Sequence, residues 1–173
     1  MGTQINQPAP DFALPDLEGR LHRLRDYRGH IVVVDFWSAE CPISRDYDAF
    51  FSEFAERFGP QGVVVLAVDS NTYEDEHVLH EAVRTRDLNF PVLRDEGNKV
   101  ADLYGAETTP HVFVVDREGR LRYRGHVDDR SWQQKHPTMN YLEAVIQALL
   151  AGEEPPVQER PPFGCTINRG WDL

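Results

Sequence analysis

Residues 31–58 read IVVVDFWSAECPISRDYDAFFSEFAERF. Ile31 to Val34, then Phe36 and Trp37, make an apolar run broken only by Asp35, the pattern of a strand covered on both faces in a parallel or mixed sheet. Ile43, Tyr47, Phe50, Phe51, Phe54 and Phe58 follow at i, i+4, i+7, i+8, i+11 and i+15, one stripe along one helical face. Between strand and helix stand Cys41 and Pro42. The unpaired N–H groups of a helix start favour a thiolate over a thiol, so this position predicts a reactive sulfur. Ser38 is the expected N-cap, and Pro42 suits a first turn that needs no N–H from it. Glu40 opposes ionisation of the sulfur; Arg45, one turn on, favours it.

The segment VDFWSAECPIS resembles the active site of thioredoxin-like proteins, where a strand ending in Asp-Phe-Trp leads into Cys-x-x-Cys. The resemblance implies that Cys41 is the nucleophile. Ser44 stands where the second cysteine would be, so the motif is Cys-x-x-Ser and no disulfide can form within it. It also implies a proton-transfer role for Asp35, with a structural hydrogen bond as the alternative. An ionised carboxylate inside such a strand is costly, so Asp35 needs either a raised pKa or a partner. Trp37 is expected to be part packing, part floor of the site. Ser38-x-x-Cys41 is similar as well to the Thr/Ser-x-x-Cys of peroxiredoxins, whose hydroxyl orients a bound peroxide.

With 173 residues, 40% of them hydrophobic and 10% aromatic, the chain suffices for one core. The expected division is a domain over 1–152 and a Pro-rich tail over 153–173. A formal charge of −11 argues against nucleic acid or an anionic membrane surface as partner. No apolar run approaches the roughly 18 to 20 residues of a membrane span, and the start lacks the basic and apolar regions of a signal peptide. The expectation is a cytoplasmic protein, or a periplasmic one if a leader has been removed. Two cysteines are too few for a disulfide scaffold and enough for a redox pair.

Taken in order, Asp16-Leu17-Glu18-Gly19 is a turn between short extended pieces, with Phe12, Leu14, Leu21 and Leu24 as inward candidates. This opening resembles the N-terminal hairpin of alkyl hydroperoxide reductase/thiol-specific antioxidant-type redoxins and their thiol-disulfide relatives. Val63 to Val68 is a second buried strand, Asp69 to Thr72 a loop, and Tyr73 through Val83 a surface helix returning to an extended Phe90 to Leu93. Val100, Leu103 and Tyr104 mark a short helix stopping at Gly105. Val112 to Val115 and Leu121 to Tyr123 pair across the turn Asp116 to Gly119, and a last helix spans about Asn140 to Ala151. The whole is an α/β pattern. The resemblance makes it a thioredoxin-like fold, a central mixed sheet flanked by helices. Thr109-Pro110 then corresponds to the cis-proline element, whose edge receives the substrate backbone; Ser38, Ser44, Trp37, Thr109 and Pro110 are the implied substrate-binding set.

In the tail, Pro155-Pro156 and Pro161-Pro162 favour extended backbone. From Gly152 to Cys165 such a segment reaches roughly 40 Å at about 3.1 Å per residue. A domain of this length has a radius of gyration of about 15 to 16 Å, so Cys165 is free to meet Cys41. The Gly-Cys-x-Ile ending is similar to that of a branch of redoxins with a Cys-Pro active site. Cys165 is taken as the resolving cysteine, an exposed tail thiol being the alternative.

Three functions remain open. In the first, Cys41 attacks the disulfide of a protein or small-molecule oxidant, Cys165 resolves the adduct, and a thiol reductant recycles the pair, without cofactor or metal, in a monomer or homodimer. In the second, Cys41 is oxidised by peroxide to a sulfenic acid. Against it, no arginine stands near Thr109-Pro110 as in peroxiredoxins, and Val34 replaces the proline of their longer motif. In the third, the chain is a binding scaffold, or holds copper through Cys41 and a histidine. His111 is a candidate substrate contact and the other histidines are expected on the surface. The Asp128-Asp129 pair is expected to be a solvated turn or cap, with cation binding as the alternative.

Overall fold

A computed structural model describes residues 3–170; residues 1–2 of the expected domain and 171–173 of the expected tail lie outside them. Two short strands, β1 (Ala13–Pro15) and β2 (Leu21–Arg23), form the N-terminal hairpin, its turn held by Asp16 Oδ1, which accepts from Glu18 N and Arg20 N at 2.9 Å. Phe12, Leu14 and Leu24 are buried, but Leu21 is 47% exposed. Leu14 pairs with His22, and the alternation of a strand turns Leu21 to the opposite, solvent face.

Strand β3 (Ile31–Phe36) is buried throughout. The aromatic stripe forms two helices rather than one, α1 (Pro42–Asp46) and α2 (Asp48–Phe58). Tyr47 divides them at φ −97° and ψ −1°, in the sparsely allowed bridge region, its N–H turned to Ser44 O at 3.1 Å. Its hydroxyl is drawn away to Asp128 Oδ1 at 2.8 Å and His126 Nε2 at 3.1 Å. The stripe survives the break: Tyr47, Phe51, Phe54 and Phe58 are buried and Phe50 half-buried.

Next come β4 (Val63–Asp69) and α3 (Glu76–Arg86). The helix begins three residues later than periodicity predicts because the Asp75 carboxylate captures Val78 N at 3.0 Å as N-cap; Tyr73 is left 55% exposed in the loop. After β5 (Val92–Arg94), helix α4 (Lys99–Tyr104) ends at Gly105 with φ +69°. Strands β6 (Thr108–Thr109), β7 (His111–Val115) and β8 (Leu121–Gly125) follow, then α5 (Tyr141–Leu150), capped by Asn140, and β9 (Cys165–Thr166).

The central sheet has the order β5-β4-β3-β7-β8, parallel from β5 to β3 and antiparallel beyond. Alternate residues of β3 serve two apolar layers. Ile31 and Val33 face α2, α3 and α5, whereas Val32, Val34 and Phe36 face the hairpin and α4. Each fully buried side chain of Phe or Leu size contributes about 1.5 to 3 kcal/mol, so the two layers dominate stability.

The tail lies along the body. Arg124 N donates to Gln158 O and Arg160 N to Arg124 O, both at 3.1 Å, which covers the outer edge of β8. Beyond it, β9 pairs antiparallel with β6, and Ile167 is fully buried in the hairpin-side layer. No described helix is long and apolar enough to cross a membrane.

Candidate active site

Cys41 and Cys165 are joined by a disulfide, their Cα atoms 6.1 Å apart. Cys41 itself, not Ser38, caps α1, its Sγ accepting from Ser44 N at 3.4 Å. Ser38 sits one turn earlier, where its Oγ accepts from Cys41 N at 2.9 Å and Glu40 N at 3.1 Å and donates to Glu74. Ser44 Oγ accepts from Ser38 N at 3.0 Å, so both serines hold the loop that carries the sulfur. Because α1 is one short turn, favourable charge at Sγ comes from this local N–H rather than from a long helix.

Opposite the sulfur, the Thr109–Pro110 peptide is cis, and Thr109 O lies 3.6 Å from Cys41 Sγ. Thr109 is paired with Cys165 in the β6–β9 ladder, and its buried Oγ1 has no partner. Trp37 is fully buried beneath the loop, its Nε1 donating to Asp48 Oδ1 at 2.7 Å. Arg86 completes that floor by donating to Asp48 Oδ2 at 3.1 Å and to Ala39 O.

Asp35 is 1% exposed, and neither carboxyl oxygen has a hydrogen-bond partner. The structural hydrogen bond offered as an alternative is therefore not made. Burial, reinforced by the charge of Asp48, pushes its pKa well above the carboxylate range.

His111 is buried against Phe113 with ring centroids 4.6 Å apart, its Nδ1 accepts from Glu107 N at 3.1 Å, and burial pulls its pKa down to about 3. His126, expected on the surface, is also buried; desolvation and then Arg130 lower it to about 4. The Phe163 ring of the tail packs against His126, centroids 5.4 Å apart. Asp128 is buried rather than solvated, accepting from Tyr47 Oη and from Arg130 N at 3.0 Å. Asp129 ties a loop through Thr138 N and Gln134 Nε2, each at 2.8 Å. Among the described residues no group of three or more His, Cys, Asp or Glu side chains could hold a metal ion.

Sequence reasoning missed Glu74, Asp48, Arg86 and Asp69. Glu74 is buried and accepts from Ala39 N at 2.6 Å besides Ser38, although it stands in an acidic stretch that resembles a solvated surface. Asp69, at the end of β4, is pushed well up by burial and then by the neighbouring Glu74. The one available signal was Asp48, an acid inside an aromatic stripe.

Known proteins resemble this chain in sequence and in fold. The thiol-disulfide oxidoreductase ResA of Geobacillus thermodenitrificans is 36% identical over 119 residues, 68% of this chain and 67% of the relative. A hypothetical protein of Sinorhizobium meliloti superposes with a TM-score of 0.87 at 33% identity, covering 96% of this chain and 95% of its own. A putative thiol:disulfide interchange protein DsbE from Chlorobium tepidum gives 0.72 at 27% identity, over 85% of this chain and 98% of its own. These likenesses establish the thioredoxin-like fold. The sequence profile of the AhpC/TSA family matches residues 5–124, which take in the hairpin, the cysteine loop, the cis-proline and most of β8, and the chain belongs to that family.

Proposed function

We propose that this thiol-disulfide oxidoreductase uses Cys41 as nucleophile and Cys165 as the resolving thiol of the same chain. The observation that carries the reading is the seat of Cys165, paired with Thr109 at the cis-proline edge and bonded to Cys41. In the dithiol form the Cys41 thiolate attacks one sulfur of a substrate disulfide, whose other sulfur leaves as a thiolate. The Cys165 thiolate then attacks Cys41 Sγ, releases the second substrate thiolate and closes the disulfide found here. Asp35, whose pKa burial raises, is the proposed proton donor to a leaving thiolate. Residues 1–152 are the proposed catalytic domain and 153–173 the tail that delivers Cys165.

The partners are a disulfide-bearing substrate and a thiol reductant that returns the pair to the dithiol. In the cytoplasm, the expected compartment, reduction would follow each turnover. Both sulfurs come from one chain, so a monomer contains the whole couple. A peroxidase is less well served by the geometry: Ser38 Oγ, the hydroxyl that would orient a peroxide, already donates once and accepts twice, which exhausts its capacity.

The test is peptide mapping, without reductant, after the reduced protein meets one equivalent of an oxidised dithiol. A Cys41–Cys165 crosslink within one chain is expected, and Cys165→Ser should accumulate a mixed disulfide on Cys41. A Cys41 that stays a free thiol overturns the reading. One equivalent of hydrogen peroxide, run in parallel, should close the crosslink more slowly.

A further inference from the structure

The tail around Cys165 pairs along Thr108–Thr109, the backbone edge that lies beside the Cys41 sulfur. Three neighbouring positions of that segment meet surroundings that accept few side chains. Immediately before the cysteine, a Cβ on Gly164 would lie 2.0 Å from Thr109 O and 2.7 Å from Thr109 C. Those are backbone atoms locked in the cis-proline element, so they cannot yield as a flexible side chain would. Two residues before the cysteine, the Phe163 ring packs edge-on against Trp132, centroids 4.7 Å apart, and His126 at 5.4 Å, with the Arg130 guanidinium 5.7 Å from its centre. Trp132 is 72% exposed, so this wall is open to solvent once Phe163 leaves. Two residues after the cysteine, Ile167 is fully buried in the hairpin-side layer while its N–H donates to Glu107 O at 3.0 Å. The side chain of Thr166, between the cysteine and Ile167, is exposed.

We propose that this edge selects its protein substrates by sequence, taking an extended segment in which the attacked cysteine follows a glycine, with an aromatic residue before that glycine and an aliphatic residue two places after the cysteine. The proposal rests on the redox reading of Cys41 and deepens it. The tail is the built-in occupant of that pattern, PFGCTI, and substrate and tail exclude one another from the edge. A substrate cysteine preceded by any residue with a Cβ has to sit farther from Thr109, and its sulfur then misses the line of attack.

The test uses the full-length, reduced Cys165→Ser protein and synthetic peptides spanning 161–168, each with its cysteine capped as a mixed disulfide with thionitrobenzoate. The Cys41 thiolate attacks the peptide sulfur, a new disulfide to the peptide forms, and the coloured thionitrobenzoate anion leaves with the electron pair. Rates are compared between the parent peptide and peptides carrying Gly164→Ala, Phe163→Ala or Ile167→Ala, with capped cysteamine as a small control. Residual occupancy by the protein's own tail slows all probes equally, so the ratios report fit. The Gly164→Ala peptide should react about ten to a hundred times more slowly than the parent, the Ile167→Ala peptide about tenfold more slowly, and the Phe163→Ala peptide about threefold. Parent and Gly164→Ala peptides reacting within about twofold of one another would overturn the selection while leaving the redox reading intact. No release from any probe, the capped cysteamine included, would overturn the redox reading and the proposal with it.

Discussion

Asp35 sits next to the end of the central strand with no partner for either oxygen, and its consequence is a pH dependence of opposite sign to that of a paired carboxylate. Its pKa is raised in the folded protein, so above about pH 3.9 the unfolded chain has lost the proton that the folded chain retains. Folding stability therefore falls as pH rises through that window, by about 1.4 kcal/mol per pH unit from this group, until the folded-state pKa is reached. Asp48, Asp69 and Asp128 are raised as well and slope the same way, while the lowered His111 and His126 oppose them below about pH 6.5. The contribution of Asp35 is isolated by difference: denaturant unfolding of the disulfide form from pH 5 to 8 should show a shallower fall for Asp35→Asn than for the parent. Equal slopes would mean that Asp35 is ionised in the fold. Asp35 was conspicuous in the sequence because it interrupts an apolar run. Glu74 was not, since what buries it is Ser38 and Ala39, some 35 residues away, and no local pattern reports such a contact.

The loop between β3 and α1 carries the sulfur, yet the elements that hold it lie outside it. Glu74 grips Ser38 and Ala39 from the loop before α3, and Arg86, in the last turn of α3, binds Ala39 O and the buried Asp48 at the start of α2. Strand, helix stripe and cysteine were all legible, because periodicities of two and near four are local properties. The break at Tyr47 was not, because it follows from where the tyrosine hydroxyl finds Asp128, 81 residues on. Arg86 is the test of this scaffolding. Arg86→Met should destabilise the fold by about 3 kcal/mol, since it leaves a buried carboxylate without its ion-pair partner. Adding Asp48→Asn removes that charge and should restore about half of the loss, a coupling read directly from a double-mutant cycle of unfolding midpoints. Strict additivity of the two substitutions would show that Asp48 and Arg86 do not act as a pair.

At the scale of the molecule, two of the holds on the tail, the covalent one at Cys165 and the burial of Ile167, should be separable. Chain reach permits Cys165 to meet Cys41 without requiring it, which is why the pairing followed from a resemblance and not from length. The burial of Ile167 had no local signal at all, standing as it does alone among polar residues. The disulfide closes a separation of 124 residues, and on the loop-entropy model reduction should lower global stability by about 2 to 5 kcal/mol. Ile167→Ala should cost about 2 to 4 kcal/mol in the disulfide form, where the tail cannot leave and the cavity must be borne. In the dithiol form the tail has another outlet: it can lift as a unit, exposing the edge at β6, without unfolding the sheet. The same substitution should then cost less in global unfolding and appear instead as local opening. Limited proteolysis with mass readout distinguishes the two, because cleavage between 153 and 163 should be fast for reduced Ile167→Ala, intermediate for the reduced parent and slow for both oxidised proteins. Equal cleavage of reduced and oxidised parent would mean that burial alone pins the tail. A substrate would then have to compete with a docked strand on every turnover, and reduction by itself would not clear the edge.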